Sequence, residues 1–158
     1  MMTTTIKALL AFCLTLPNAQ YLEPLIQPNI TAVAAVVDAE GPLPFPGTDL
    51  AARWNRTAEL MLVMGFFEAG WSANPRGSND EGRACGVMQV HTPDPAKCAE
   101  RRASLSAGYR AGLRTLKKML ELCGTINGAV AAFASGSCTG APKLVAYRMS
   151  FVHRRRRR

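Results

Sequence analysis

The apolar residues of this chain recur mainly at helical spacing. Leu50, Trp54, Met61 and Met64 fall near one face of a stretch covering about 48–69, which predicts one long helix. A Thr-Asp pair at the start of that stretch is suited to capping it.

The same spacing predicts shorter helices elsewhere. Asn29 and Asn127 are expected to cap two of them, and Gly124 to end a third. Residues 86–90 form a short apolar run that fits either a strand or a buried turn. We therefore expect an α+β chain, predominantly α-helical, with a small β element. The expected ranges of the shorter helices are 30–39, 105–120, 129–134 and 142–152.

Composition fits a single folded domain, which we place at residues 21–152. The chain has 158 residues, 48% of them apolar and 19% charged. These values exclude a disordered or fibrous protein. No apolar run approaches the ~18 residues that a spanning helix needs, so we expect no transmembrane span. We also expect the chain to be a monomer.

The two ends of the chain have their own patterns. Residues 1–20 combine an early lysine, Lys7, with the apolar run 8–16, which fits a secretory signal peptide or a short N-terminal helix. The chain has 19 basic and 11 acidic residues, and five of the basic ones are the arginines at 154–158, so the rest carries only +3. A tail at 153–158 is expected to be solvated.

The arginine tail could contact an anionic polymer by nonspecific electrostatics. Specific nucleic-acid binding is not expected, because the arginines lie outside the folded segment and no aromatic residues are interleaved with them.

Five cysteines leave two interpretations open. Cys85 with Cys98, and Cys123 with Cys138, would each close one loop as disulfides in an oxidising compartment. Cys13 would be removed with a leader. The alternative is a set of free buried thiols. No closely spaced cysteine pair occurs and the two histidines lie far apart, so we expect neither a zinc site nor a cofactor.

Glu68 is the candidate catalytic residue. It lies at the end of the long apolar helix, among Phe66, Phe67 and Trp71. Partial burial and the helix C-terminus both favour a protonated carboxyl group, which is what a glycosidic general acid requires. A solvent-facing glutamate at a helix end is the alternative.

Three segments in the same order resemble the catalytic region of lytic transglycosylases and goose-type lysozymes. They are FEAGW at 67–71, GVMQV at 86–90 and AFASG at 132–136. Those families carry Glu-Ser at a helix end, a Gly- and Asn-rich loop, Gly-Leu-Met-Gln, and then Ala-Tyr-Asn-x-Gly. The resemblance extends over roughly 48–152.

The resemblance implies a lysozyme-like fold and a peptidoglycan lytic transglycosylase. Glu68 would protonate the oxygen between N-acetylmuramic acid and N-acetylglucosamine, and would then act as a base on the sugar's own 6-hydroxyl. The family motifs indicate four substrate-binding residues, which are Gly86, Met88, Gln89 and Phe133. Tyr147 is a fifth candidate, because it could supply a hydroxyl from the last helix.

The chain departs from the family pattern at several positions. Ala69 replaces a serine, Phe133 a tyrosine and Ala134 an asparagine. These changes bear on sugar binding more than on the acid. Asp80, in the loop before residue 86, is a candidate second carboxylate that could position a water. The transglycosylase is favoured over a hydrolytic goose-type muramidase because the position after Val90 holds no carboxylate.

A noncatalytic cell-wall-binding module that kept the fold is a further alternative. The expected location is periplasmic or extracellular, and a phage-encoded lysis or virion enzyme would share the same motifs.

Overall fold

The computed structural model describes residues 2–75 and 83–152, and this part of the chain is mostly helical. Seven α-helices and two short strands occur in it. The 3-10 turn Ala19–Leu22 links the first two helices. In chain order the elements are α1 (Met2–Cys13), α2 (Glu23–Glu40), α3 (Leu50–Ala69), β1 (Ala84–Cys85), β2 (Val90–His91), α4 (Pro95–Ala103), α5 (Leu105–Cys123), α6 (Ile126–Ser135) and α7 (Pro142–Val152).

The helices surround one hydrophobic core. Helix α5 packs against α2, α3, α4 and α6, while α3 also packs against α1, α2 and α7. The expected mostly helical chain with a small β element is confirmed in this described part. The two long helices α3 and α5 approach closely at Gly65, where an added Cβ would lie 2.6 Å from the hydroxyl of Tyr109.

The long helix predicted at 48–69 is observed at Leu50–Ala69. Asp49 caps it, since its carboxylate accepts a hydrogen bond from the backbone N–H of Ala52 at 2.7 Å. Thr48 instead donates its hydroxyl to the carbonyl of Phe45. From residue 60 to 65 the helix is buried on every side, so it forms the centre of the core.

Two predicted helix starts are wrong. Helix α2 begins at Glu23, with Pro24 in its first turn, so Asn29 lies inside the helix. Helix α6 begins at Ile126, where Thr125 and not Asn127 is the cap, its hydroxyl accepting from the N–H of Gly128 at 3.0 Å. Thr125 thus caps α6 earlier in the chain than expected, whereas α2 has no side-chain cap and begins with Pro24, which lacks an N–H, in its first turn.

Residues 86–90 contain a buried turn and the start of a strand. The turn joins β1 to β2 as an antiparallel pair in which Ala84 lies opposite His91 and Cys85 opposite Val90. Gly86 takes φ +77°. Glycine is required there, because an added Cβ would lie 3.0 Å from the backbone oxygen of Arg101.

Both expected disulfides form. Cys85 is bonded to Cys98 and Cys123 to Cys138, with the Cα atoms 5.5 Å apart in each pair. Disulfides of this kind suit an oxidising compartment. Cys13 is a buried free thiol, and its burial raises its pKa to about 12.

The N-terminal segment is a helix that contributes to the core. The side chains of Leu9, Phe12, Cys13 and Leu16 are buried, and α1 packs against α2 and α3. In residues 2–75 and 83–152, every helix is too short or too polar to cross a bilayer.

Candidate active site

The C-terminal end of α3 is held by an unusual chain reversal. Gly70 and Trp71 both adopt positive φ, at +54° and +62°. Their backbone N–H groups return to the carbonyls of Phe66 and Gly65, at 2.9 and 3.2 Å. The indole N–H of Trp71 donates to the carbonyl of Leu62 at 2.9 Å, so the ring is anchored beneath the helix end that carries Glu68.

A buried polar network supports this reversal from below. The side-chain amide of Asn29 donates to the carbonyl of Trp71 at 3.0 Å, and its oxygen accepts the hydroxyl of Tyr109 at 2.6 Å. Burial raises the pKa of Tyr109 well above its ordinary value, so the phenol remains a donor. Three elements, α2, α5 and the end of α3, are thereby connected.

Glu68 is paired with an arginine from the last helix. The Nη1 atom of Arg148 lies 2.6 Å from Oε1 of Glu68. The arginine side chain is only 7% exposed and the glutamate 23%, so the pair lies at the edge of the core. Arg148 also lies 3.5 Å from the sulfur of Met64 and faces the Phe67 ring at 5.7 Å.

The ring of Phe67 joins this ion pair to an aromatic group on α7. Arg148 faces the Phe67 ring, which lies 5.5 Å from the ring of Tyr147 and 6.0 Å from that of Phe151. Tyr147 is half exposed. A half-exposed tyrosine offers a ligand both an apolar surface and a hydrogen-bonding group.

The residues predicted from the GVMQV segment form a separate group. Met88 is fully buried, and it lies so close to Gly112 of α5 that an added Cβ there would be 2.6 Å from it. The amide of Gln89 donates to the carbonyl of Gly86 at 2.9 Å. Within the described residues, none of the candidates Gly86, Met88 and Gln89 is hydrogen-bonded to Glu68.

The remaining candidates fall in different places. Phe133 is half-buried on α6 and packs against the core. Asp80 lies outside the described residues. Tyr147 is the one predicted substrate-binding residue whose ring contacts that of Phe67.

Arg148 is the functional residue that the sequence analysis missed. It stands alone as a charge in the apolar run from Leu144 to Val152. A cation in such a run must be either exposed or paired with a buried carboxylate. That pattern could have indicated a partner, although not which one.

Two further features lie outside the Glu68 site. In the described ranges, no three metal-ligating side chains of the His, Cys, Asp and Glu types come together. A cavity of about 540 Å³ lies between the segment 44–46 and the turn from α5 to α6, and it is lined by none of the predicted site residues.

Comparisons of the chain with protein-family models, curated proteins and solved structures found no match. The arrangement at the end of α3 places one carboxylate, one guanidinium and one exposed tyrosine together, which allows proton transfer at Glu68 and recognition of a polar, ring-containing ligand.

Proposed function

We propose that this chain is a peptidoglycan-cleaving enzyme, a lytic transglycosylase that uses Glu68 as its single acid and base. The observation that carries the proposal is the partly exposed Glu68 carboxylate, held by buried Arg148 beside the half-exposed ring of Tyr147. The resemblance of residues 67–71, 86–90 and 132–136 to the transglycosylase motifs supports the same reaction.

The proposed reaction needs two proton transfers at Glu68. Protonated Glu68 gives its proton to the oxygen of the β-1,4 bond as the bond from that oxygen to the muramic acid C1 breaks, and the leaving sugar keeps this proton. The 6-hydroxyl of the same sugar then bonds to C1, and its own proton passes to Glu68, which restores the acid. The product is an anhydro sugar, and no water is consumed.

Arg148 is proposed to position Glu68 and to stabilise it between the two proton transfers. It contacts Oε1 directly, so the carboxylate formed after the first transfer already has a charged partner.

The same ion pair favours a second candidate, a noncatalytic wall-binding module. A carboxylate held permanently by Arg148 would not release a proton, while Tyr147 would still offer a stacking surface for a sugar. Hydrolysis remains the third outcome, for which Asp80 would have to position a water.

Glu68→Gln tests the proposal. Glutamine keeps the shape of the side chain and an oxygen that accepts from Arg148, but it cannot transfer a proton. We expect cleavage of purified peptidoglycan to fall by ~10²–10⁴-fold with circular dichroism unchanged. Wild-type cleavage by the variant would overturn the assignment of Glu68.

Mass analysis of the soluble products separates the three candidates. Anhydro-muropeptides from the wild-type chain support the transglycosylase, reducing muropeptides indicate hydrolysis, and no product from a chain that still sediments with peptidoglycan indicates the binding module. Asp80→Asn is the matched control, since the transglycosylase predicts little effect and the hydrolase a loss comparable to that of Glu68→Gln.

A further inference from the structure

Helices α4 and α5 form a groove lined by cations that the proposed reaction does not use. The groove has a volume of about 390 Å³. In the part of the chain that the structure describes, its lining includes one acidic residue, Glu100, and five basic ones. The basic residues are Lys97, Arg101, Arg110, Arg114 and Lys118.

The cations are arranged in two rows. Arg110, Arg114 and Lys118 follow one another at four-residue spacing on α5, and Lys97 and Arg101 do so on α4. Residues four apart share a helix face and are displaced by ~6 Å along the axis, so the α5 row extends for ~12 Å. A row of evenly spaced charges matches a repeating anion better than a single small one.

Carboxylate and carbonyl groups of the fold hold the guanidiniums in place. Glu40 accepts from Nε and Nη2 of Arg114 at 2.9 and 2.8 Å, and its Oε1 lies 3.4 Å from Nε of Arg110. Arg101 donates from Nη1 to the carbonyl of Val90 at 3.1 Å. A guanidinium has five N–H donors, so these contacts orient each one while leaving donors for a ligand.

The chemistry of the lining distinguishes among polyanions. Among the described residues, no aromatic side chain lines the groove, so this lining offers no surface on which bases could stack. Arginine pairs well with phosphate oxygens, in a bidentate geometry. From the charge rows and the missing aromatic surface, we propose that this groove binds a linear phosphate-linked polymer that carries no bases.

Long-chain inorganic polyphosphate is the probe, and fluorescence anisotropy with end-labelled probe gives the affinity. The test protein is the full-length chain with the five arginines at 154–158 replaced by glutamine, so that the tail cannot contribute. In this background Lys97→Gln with Lys118→Gln removes two groove charges that are not bound to Glu40. Lys7→Gln with Lys143→Gln removes two exposed charges outside the groove lining and is the matched control.

We expect the groove double variant to weaken polyphosphate binding by ~10-fold at low salt and to reduce the slope of log affinity against log salt by ~1–2. The control double variant should change the affinity by less than twofold. Equal weakening by the two double variants would overturn the proposal, because the binding would then depend on overall charge.

Two competitors test the chemistry of the occupant. A single-stranded oligonucleotide with the same number of phosphates, and polyglutamate of the same charge, should each displace the probe less well than unlabelled polyphosphate. Stronger displacement by the oligonucleotide would assign the groove to nucleic acid, and stronger displacement by polyglutamate would assign it to acidic peptide; either result overturns the proposal. The assay contains no glycan, so its outcome is independent of Glu68.

Discussion

The Glu68–Arg148 and Glu40–Arg114 ion pairs differ in the burial of their arginines. In both, the two residues come from helices distant in sequence, and an arginine nitrogen lies within 3 Å of a carboxylate oxygen. Arg148, paired with Glu68, is 7% exposed, whereas Arg114, paired with Glu40, is 65% exposed. The two arginines therefore differ greatly in their exposure to water, although each is paired with a glutamate.

The surroundings of the two pairs explain what each can do. Glu40 is shared by Arg114 and Arg110, and Lys117 donates to its backbone carbonyl, so the pair belongs to a basic surface. Glu68 is bound to Arg148, and Arg148 in turn faces the ring of Phe67. Water screens the first pair and is largely excluded from the arginine of the second, so breaking the second is expected to be much more costly.

The largest expected effect is that of Glu68→Ala on stability. This change leaves the buried guanidinium of Arg148 without its carboxylate, and we expect the free energy of unfolding to fall by about 2–4 kcal/mol. Urea denaturation measures it. Adding Arg148→Met should recover part of the loss, and a double variant less stable than Glu68→Ala would show that Arg148 stabilises the fold by packing alone.

A smaller effect is expected from Arg148→Lys, and the property that it changes is the rate of peptidoglycan cleavage. Lysine keeps the positive charge but not the planar fork that contacts Glu68 and faces Phe67. We expect peptidoglycan cleavage to fall by ~10–100-fold because the carboxylate is displaced. The pH profile should change as well, since the charge near Glu68 moves; a profile identical to that of the wild type would leave Arg148 with a purely structural role.

The smallest effect is expected from Glu40→Gln. Because Arg114 is 65% exposed, water screens its attraction to Glu40. The melting temperature at pH 7 should therefore fall by no more than about 2 °C, and 0.5 M salt should remove the difference. A fall comparable to that of Glu68→Ala would contradict the proposed difference between the two pairs.

The pH dependence of that small effect has a definite sign. The hydrogen bond from Arg114, followed by the nearby positive charges, lowers the pKa of Glu40 from its ordinary value of 4.5, although partial desolvation opposes this. A lowered folded-state pKa contributes stability above the unfolded-state value and loses it as the pH falls through the folded-state value. The melting temperatures of the wild type and of Glu40→Gln should therefore converge as the pH falls below the ordinary glutamate value of 4.5 and through the lower folded-state pKa of Glu40.

Local features of the fold were predictable from the sequence, because neighbouring residues decide them. The period of apolar residues places α3, Asp49 caps it through its own first turn, and Gly124 ends α5 with a positive φ. The two disulfides close loops between cysteines 13 and 15 residues apart, so their pairing could be expected from the order of the cysteines. Glu68 as a candidate acid rests on the same kind of short-range pattern.

Features that join distant residues were decided by the tertiary structure alone. Asn29 has the sequence appearance of a helix cap, yet it lies inside α2, where it accepts the hydroxyl of Tyr109 and donates to the carbonyl of Trp71. Met88 was expected to face a sugar, and it is buried against Gly112.

Arg148 shows the physical reason most directly. It is 80 residues from Glu68, and nothing near either residue identifies the other. The partner of a buried charge is set by which helix faces pack together, and that depends on the shape of the whole core. The sequence by itself determined that this chain has a carboxylate at the end of a long apolar helix. Only the packing of α7 on α3 determined that an arginine holds it.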